Sequence, residues 1–123
     1  MSAVGSAFPL HCTANGKALL SGLTDDAIHD LLPAQLTRFT GTTITTRAAL
    51  LGELDAVRRT GVAFDREEHT DGISAVAALV TDGSGPVAAM SVPVPTQRFT
   101  GNEARYAAAV RAAADAASAL LAG

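Results

Sequence analysis

The densest set of reactive side chains is acidic: Asp65, Glu67, Glu68 and Asp71 crowd into one short stretch. Two carboxylates so close could act as a general-base pair or hold a cation. They could equally form an exposed acidic turn whose oxygens accept from backbone amides, and the turn-like composition favours that reading. The three histidines, His11, His29 and His69, do not fall at i, i+4 spacing on one helix. A zinc site would therefore have to be assembled by the fold, with Glu67 or Glu68. Cys12 is the sole cysteine and adjoins His11. Neighbours along a strand or helix start do not face each other, so Cys12 reads as a small packing residue. No catalytic residue, metal site or cofactor is expected.

A different chemistry is offered by Thr13-Ala14-Asn15-Gly16. A helix beginning there presents unpaired N–H groups at the positive end of its dipole, which suits a carboxylate. Ser91 and the small residues Ala75 and Ala77 would border the same hollow if they share a sheet face. Small side chains on a sheet leave room for a ligand, or for a closely packed helix.

These residues must be placed by a sheet. Val62–Asp65 reads as a short strand, and Ile73–Thr81 and Val87–Val94 as longer ones, apolar on both faces. A three-residue turn at Gly83-Ser84-Gly85 sets Ala75 opposite Pro93 and Ala77 opposite Ser91. The spacing predicts a helix from Thr13 to about Gly22, and a second after Thr24-Asp25-Asp26. The second carries Ile28, Leu31 and Leu32 on its apolar side and is stopped by Pro33. Residues 34–45 are threonine-rich and read as loop or edge strand. Arg47–Thr60 is the clearest amphipathic helix, with Leu50, Leu51, Leu54 and Val57 on one stripe and Gly61 as left-handed cap. Asn102 caps a last helix to about Leu121, with Tyr106, Val110, Ala113, Ala117, Leu120 and Leu121 inward and an Arg111–Asp115 pair outward. Residues 1–10 form an extended lead-in. The strands need cover on both faces while one helical layer is evident, so a partner subunit, a missing segment or a ligand is expected to supply the other.

Bulk properties narrow the class. The chain of 123 residues suits one domain. Hydrophobic content is 48% but aromatics only 4%, so the core is expected to consist of small and branched aliphatics. A net charge of −3 without a basic cluster argues against direct nucleic-acid binding. A lone cysteine, no signal-peptide pattern and no long apolar run point to a cytoplasmic domain without membrane contact.

With those residues in place, the chain resembles the effector domain of IclR-type transcriptional regulators. Pro9-Leu10-His11-Cys12-Thr13-Ala14-Asn15-Gly16-Lys17-Ala18-Leu19-Leu20 is similar to that family's P-L-H-x-T-A-x-G-K-A-x-L segment. Gly61, Asp65, Glu68 and Ala75-Val76-Ala77 follow its downstream signature. Thr43-Ile44-Thr45, Ser91-Val92, Pro95-Thr96 and Arg98 fit too, while Thr81 replaces the signature's closing aromatic or histidine. The resemblance covers nearly all of residues 8–121. It implies an α+β, GAF-like or profilin-like domain, an antiparallel sheet flanked by helices with a small-molecule pocket on one side. It also implies a homodimer or tetramer that senses small carboxylic or aromatic acids, with DNA reached only through an N-terminal winged helix-turn-helix. Neither that domain nor the first strands of the effector domain is expected within this chain, so residues 1–123 are read as a partial effector-binding domain.

By position, the implied pocket residues are Leu10 on an apolar wall, the backbone amides of Ala14 and Asn15, and Asp65, Ala75, Ser91 and Pro93. Members that bind small keto acids carry a cysteine where Ala75 stands and a serine where Pro93 stands. Losing both donors points to a larger or less polar effector. Two other classes compete with this reading. One is an enzyme converting small acids with Asp65, Glu68 and a histidine, and the other is a pure homo-oligomerisation module.

Overall fold

The computed structural model describes residues 9–123, so all but the last two residues of the lead-in expected over residues 1–10 lie outside the described residues. Helix α1 (Ala14–Ser21) starts at Thr13, whose hydroxyl accepts from the Gly16 N–H, and ends at Gly22. Helix α2 (Asp25–Leu31) starts at Thr24, whose hydroxyl accepts from Ala27 N–H. Helix α3 (Arg47–Thr60) starts at Thr46 and stops at Gly61, whose φ of 83° is the left-handed cap that glycine adopts without strain. Strands β1 (Ala63–Arg66), β2 (Ile73–Thr81) and β3 (Pro86–Pro95) follow, then a short α4 (Thr96–Phe99) and the long α5 (Glu103–Ala122).

The sheet is antiparallel in the order β1-β2-β3. Ala75 pairs with Pro93 and Ala77 with Ser91, the register expected from the sequence. The connection reaches it by another route. Thr81 pairs with Pro86, leaving four residues in the turn, and an irregularity between Val80 and Thr81 restores the register.

Two apolar clusters sandwich the sheet. On one face Ala63, Ala75 and Ala77 pack with Ala14, Ala18, Leu20, Ile28, Leu50, Leu54 and Val57 of the first three helices. On the other, Val76, Ala78 and Val80 meet Phe99, Val110 and Ala114. The missing cover is therefore supplied by this chain itself, from α4 and α5. The weak stripe of α5 hid that role: Ala114 is buried where Ala113 is exposed, Ala117 packs on the cluster as expected, and Leu120 and Leu121 are exposed. Ser74–Ala78 and Val80 of β2 are buried, whereas on β3 Val87 and Met90 stay exposed.

Other local expectations change for identifiable reasons. Leu31 is exposed and Ile28 alone of α2 is buried, because this short helix touches the core at one point. Asn102 stands at the start of α5, but its amide donates back to the Arg98 carbonyl at 2.9 Å and caps nothing ahead. Arg111 reaches the Thr60 carbonyl at 2.9 Å in place of Asp115. A Gln35–Thr46 bridge brackets residues 34–45.

Lys17, a charged residue within the first helix, is wholly buried. Its Nζ donates to Glu68 Oε1 at 2.5 Å, to the Phe64 carbonyl at 2.8 Å and to Glu53. All three of its N–H groups are thereby used. One side chain ties α1 to α3, to β1 and to the acidic turn.

Two glycines separate helix propensity from packing. A Cβ at Gly52, on the exposed side of α3, would meet nothing within 4 Å. A Cβ at Gly16 would overlap the Leu10 backbone, its carbonyl oxygen included. In urea unfolding, Gly52→Ala should therefore stabilise by about 0.5–1 kcal/mol. Gly16→Ala should destabilise by about 1–3 kcal/mol despite the same propensity gain. Lys17→Met should lose about 3–5 kcal/mol at about pH 7, because it strands the buried Glu68 carboxylate. Burial already holds Glu68 above the ordinary carboxylate range, against the opposing pull of Lys17. A carboxyl raised on folding favours the native state while protonated and loses that benefit as pH rises from its unfolded midpoint through its folded one. Removing Lys17 widens that window, so the loss should shrink near about pH 4, where an unfolded glutamate is half protonated. An equal loss at both pH values would show that packing, not charge, gives Lys17 its importance.

Candidate functional site

The start of α1 is braced before any ligand is considered. The Thr13 hydroxyl donates to the Pro9 carbonyl at 2.8 Å while accepting from Gly16 N–H at 3.0 Å. Lys17 N–H bonds to Thr13 O. Among the described residues, that leaves the N–H groups of Ala14 and Asn15 as the open pair at the positive end of the helix.

Those two residues, with Asp65, Ala75, Ser91 and Pro93, line one hollow of about 310 Å³. Its floor is the sheet, where the pairings Asp65–Ala75, Ala75–Pro93 and Ala77–Ser91 bring the named residues onto one face. Pro9, Thr13, His69, Thr70 and Ile73 complete the wall. His69 is not among the pocket residues that the family resemblance implies. It faces the hollow because the turn after Asp65 folds back on the sheet, and its ring packs on Phe39 at 5.2 Å. Leu10 does not line this hollow. It borders a separate apolar cleft with Leu19, Leu20, Leu23, Leu31 and Pro86, on the side where α1 turns its leucines.

The acidic cluster is capping as expected, but it is not an exposed turn. Asp65 and Glu68 are buried. Asp65 Oδ1 accepts from Glu68 N–H at 2.8 Å, and Glu67 Oε1 accepts from Gly72 N–H at 2.6 Å. Burial pushes the Asp65 carboxyl above its usual range, while the Glu68 amide and Lys17 oppose the shift. Asp65 thus offers the hollow a poorly solvated acceptor. Asn15 Oδ1 is buried without a hydrogen-bond partner among the described residues, which leaves that side chain loosely specified within the wall.

Catalytic alternatives find little support in this geometry. Burial, reinforced by Asp65 and Glu68, pushes the Cys12 thiol up to about 12, far from the thiolate a nucleophile requires. His11 spends its Nε2 on the Thr37 carbonyl at 2.7 Å. Glu68 is bound to Lys17, so it is not a free base beside Asp65. Among the described residues, no group of three or more His, Cys, Asp or Glu side chains is arranged to hold a metal ion.

A larger hollow of about 440 Å³ lies at the other end of β2, by Ser21, Gly61, Thr81 and Ser118. Its cations are already engaged. Arg58 serves Asp25, Asp55 and the carbonyls of Ser21 and Leu23, and Arg111 serves Thr60. The hollow at α1 retains open donors and an acceptor, and is the better candidate. Among the described residues, no helix is long and apolar enough to cross a membrane.

Comparison with known proteins places this geometry in a family. The model of the bacterial transcriptional regulator IclR C-terminal region matches residues 1–119. The HTH-type transcriptional regulator Rv1719 of Mycobacterium tuberculosis is 53% identical over 112 residues, which is 91% of this chain and 43% of that protein. The chain thus spans less than half the length of that relative. The C-terminal domain of the Escherichia coli transcriptional regulator KdgR superposes with a TM-score of 0.84 at 37% identity, over 94% of this chain and 72% of that one. The inducer-binding domain of the Acinetobacter transcription factor PobR, a double mutant solved with 3-hydroxybenzoic acid, matches with a TM-score of 0.70 at 28% identity. That match covers 86% of this chain and 65% of the PobR chain. From the P-L-H segment through the α+β sandwich to the final helix, this chain belongs to the IclR C-terminal family of bacterial transcriptional regulators.

Proposed function

We propose that this chain is the acid-sensing, self-associating part of a cytoplasmic transcriptional regulator, and that it does no catalysis. The observation that carries the reading is the hollow at the start of α1. There two open backbone N–H groups, the Ser91 side chain and the buried Asp65 share about 310 Å³ over a floor of small residues. A carboxylate set against Ala14 and Asn15 gains both the amide donors and the helix dipole. Ser91 adds a side-chain donor. Ala75 and Pro93 add none, so the remainder of the effector meets a mostly apolar surface, as a small aromatic or branched aliphatic acid would suit. The PobR domain bound to 3-hydroxybenzoic acid is a relative whose ligand has that character.

Regulation follows by population shift. An acid that binds one arrangement of the subunits better than another biases the equilibrium by its difference in affinity. DNA would be engaged by a separate domain of the full-length regulator, since this chain carries net charge −3 and no basic cluster. Self-association is supported by β3, whose exposed Val87 and Met90 border an edge with no further strand among the described residues.

Isothermal titration calorimetry with a panel of aliphatic and aromatic acids should identify a binder, and Ser91→Ala should weaken that acid about fivefold to tenfold. Unchanged affinity in the variant would remove Ser91 from the site. Sedimentation of the chain should show a dimer or tetramer, and Met90→Lys on the exposed strand should shift it towards monomer. A wild-type monomer at all concentrations would refute the self-association half of the proposal.

A further inference from the structure

The acidic wall of the hollow is held from behind by a segment that does not line it. Thr43 is buried, and its hydroxyl donates to the Glu68 carbonyl at 2.6 Å. The same oxygen accepts the N–H groups of Phe39 and Thr40, at 3.0 and 2.8 Å. Thr40 and Thr42 donate to the Glu67 carbonyl, at 2.6 and 2.9 Å. Glu67 has a φ of 59°, a conformation that a residue with a side chain keeps only when its surroundings hold it.

Glu68 is therefore gripped at both ends. Thr43 holds its carbonyl, and Asp65 Oδ1 holds its N–H at 2.8 Å. Movement released at the carbonyl end reaches the carboxylate through one residue. Resting on the reading of the hollow as an effector site, we infer that Thr43 is a positioning residue for that site: its hydroxyl sets where the Asp65 carboxylate stands.

Valine keeps the branched shape of threonine but can neither donate nor accept, so Thr43→Val leaves a carbonyl and two N–H groups without their partner. Serine keeps the hydroxyl. Amide hydrogen exchange read residue by residue by NMR separates this role from general support of the fold. In Thr43→Val, exchange of the Glu68 amide should rise by about tenfold or more, the factor that corresponds to losing one ordinary hydrogen bond. The amides of Leu54 and Val76, deep in the two apolar clusters, should stay within about twofold, and Thr43→Ser should restore Glu68. The acid found by calorimetry should bind Thr43→Val about tenfold more weakly and Thr43→Ser nearly as wild type.

Unchanged exchange at Glu68 in Thr43→Val would overturn the inference. So would a uniform rise that included Leu54 and Val76, or failure of Thr43→Val to fold while Thr43→Ser folds, because the threonine would then support the whole domain. If the exchange pattern holds but no acid binds the wild-type chain, the effector reading itself has failed, and the positioning role for that site falls with it.

Discussion

Lys17 Nζ sits without water at the meeting point of α1, α3 and the turn after β1, bound to Glu53, Glu68 and the Phe64 carbonyl. Taking an ammonium out of water is tolerable only when every N–H finds an acceptor and opposite charge is close. Those demands leave little freedom of position. The open N–H groups of Ala14 and Asn15 lie within one helical turn of Lys17, and Asp65 is bonded to the residue that Lys17 holds. One ion pair network therefore fixes two opposite walls of the hollow. Desolvation offsets much of the attraction in such a network, so its presence is not by itself a measure of net stability.

Within that frame the polar groups of the hollow are sorted by type. Backbone donors stand at the helix start, Ser91 lies across the floor, and the buried acceptor Asp65 lies on the turn. Ala75 and Pro93 supply shape without hydrogen bonds. A site of this kind draws selectivity from where its few polar groups lie, because an unmatched buried group is penalised more than a matched one is rewarded.

The two faces of the sheet are covered by the chain's own helices, most fully over the middle of β2 and least over β3. Helix α5 buries Val110 and Ala114 against it and leaves most of its alanines in solvent. Strand β3 keeps a half-exposed surface and an edge without a neighbour among the described residues. The same asymmetry places the hollow beside the less covered strand, where Ser91 and Pro93 stand. The hollow and the open strand edge therefore share β3.

Much of this could be read locally. Thr13, Thr24 and Thr46 start helices because a hydroxyl at that point satisfies an otherwise unpaired N–H, and Gly61 ends α3 because positive φ carries no penalty there. The β2–β3 register was legible, although it is reached through a four-residue turn and an irregularity between Val80 and Thr81 rather than the expected three-residue turn, and the quoted motifs were enough for the family. Long-range geometry was not legible. A lysine in a helix pattern looks the same whether its stem snorkels to water or its charge is buried, and only the arrival of Glu53, Glu68 and the Phe64 carbonyl from distant positions decides it. Likewise an alanine-rich helix carries too weak a stripe to declare which sheet face it covers. The sequence by itself determined most of the elements, the threonine and glycine caps of the first three helices, the pairing of Ala75 with Pro93 and Ala77 with Ser91, and the family, because those depend largely on neighbours within a few residues. The tertiary structure alone decided that Lys17 is buried, that Asp65 and His69 face the hollow while Leu10 does not, and that Thr43 grips Glu68. Each of those depends on which charges and hydrogen bonds meet across tens of residues once water has been excluded.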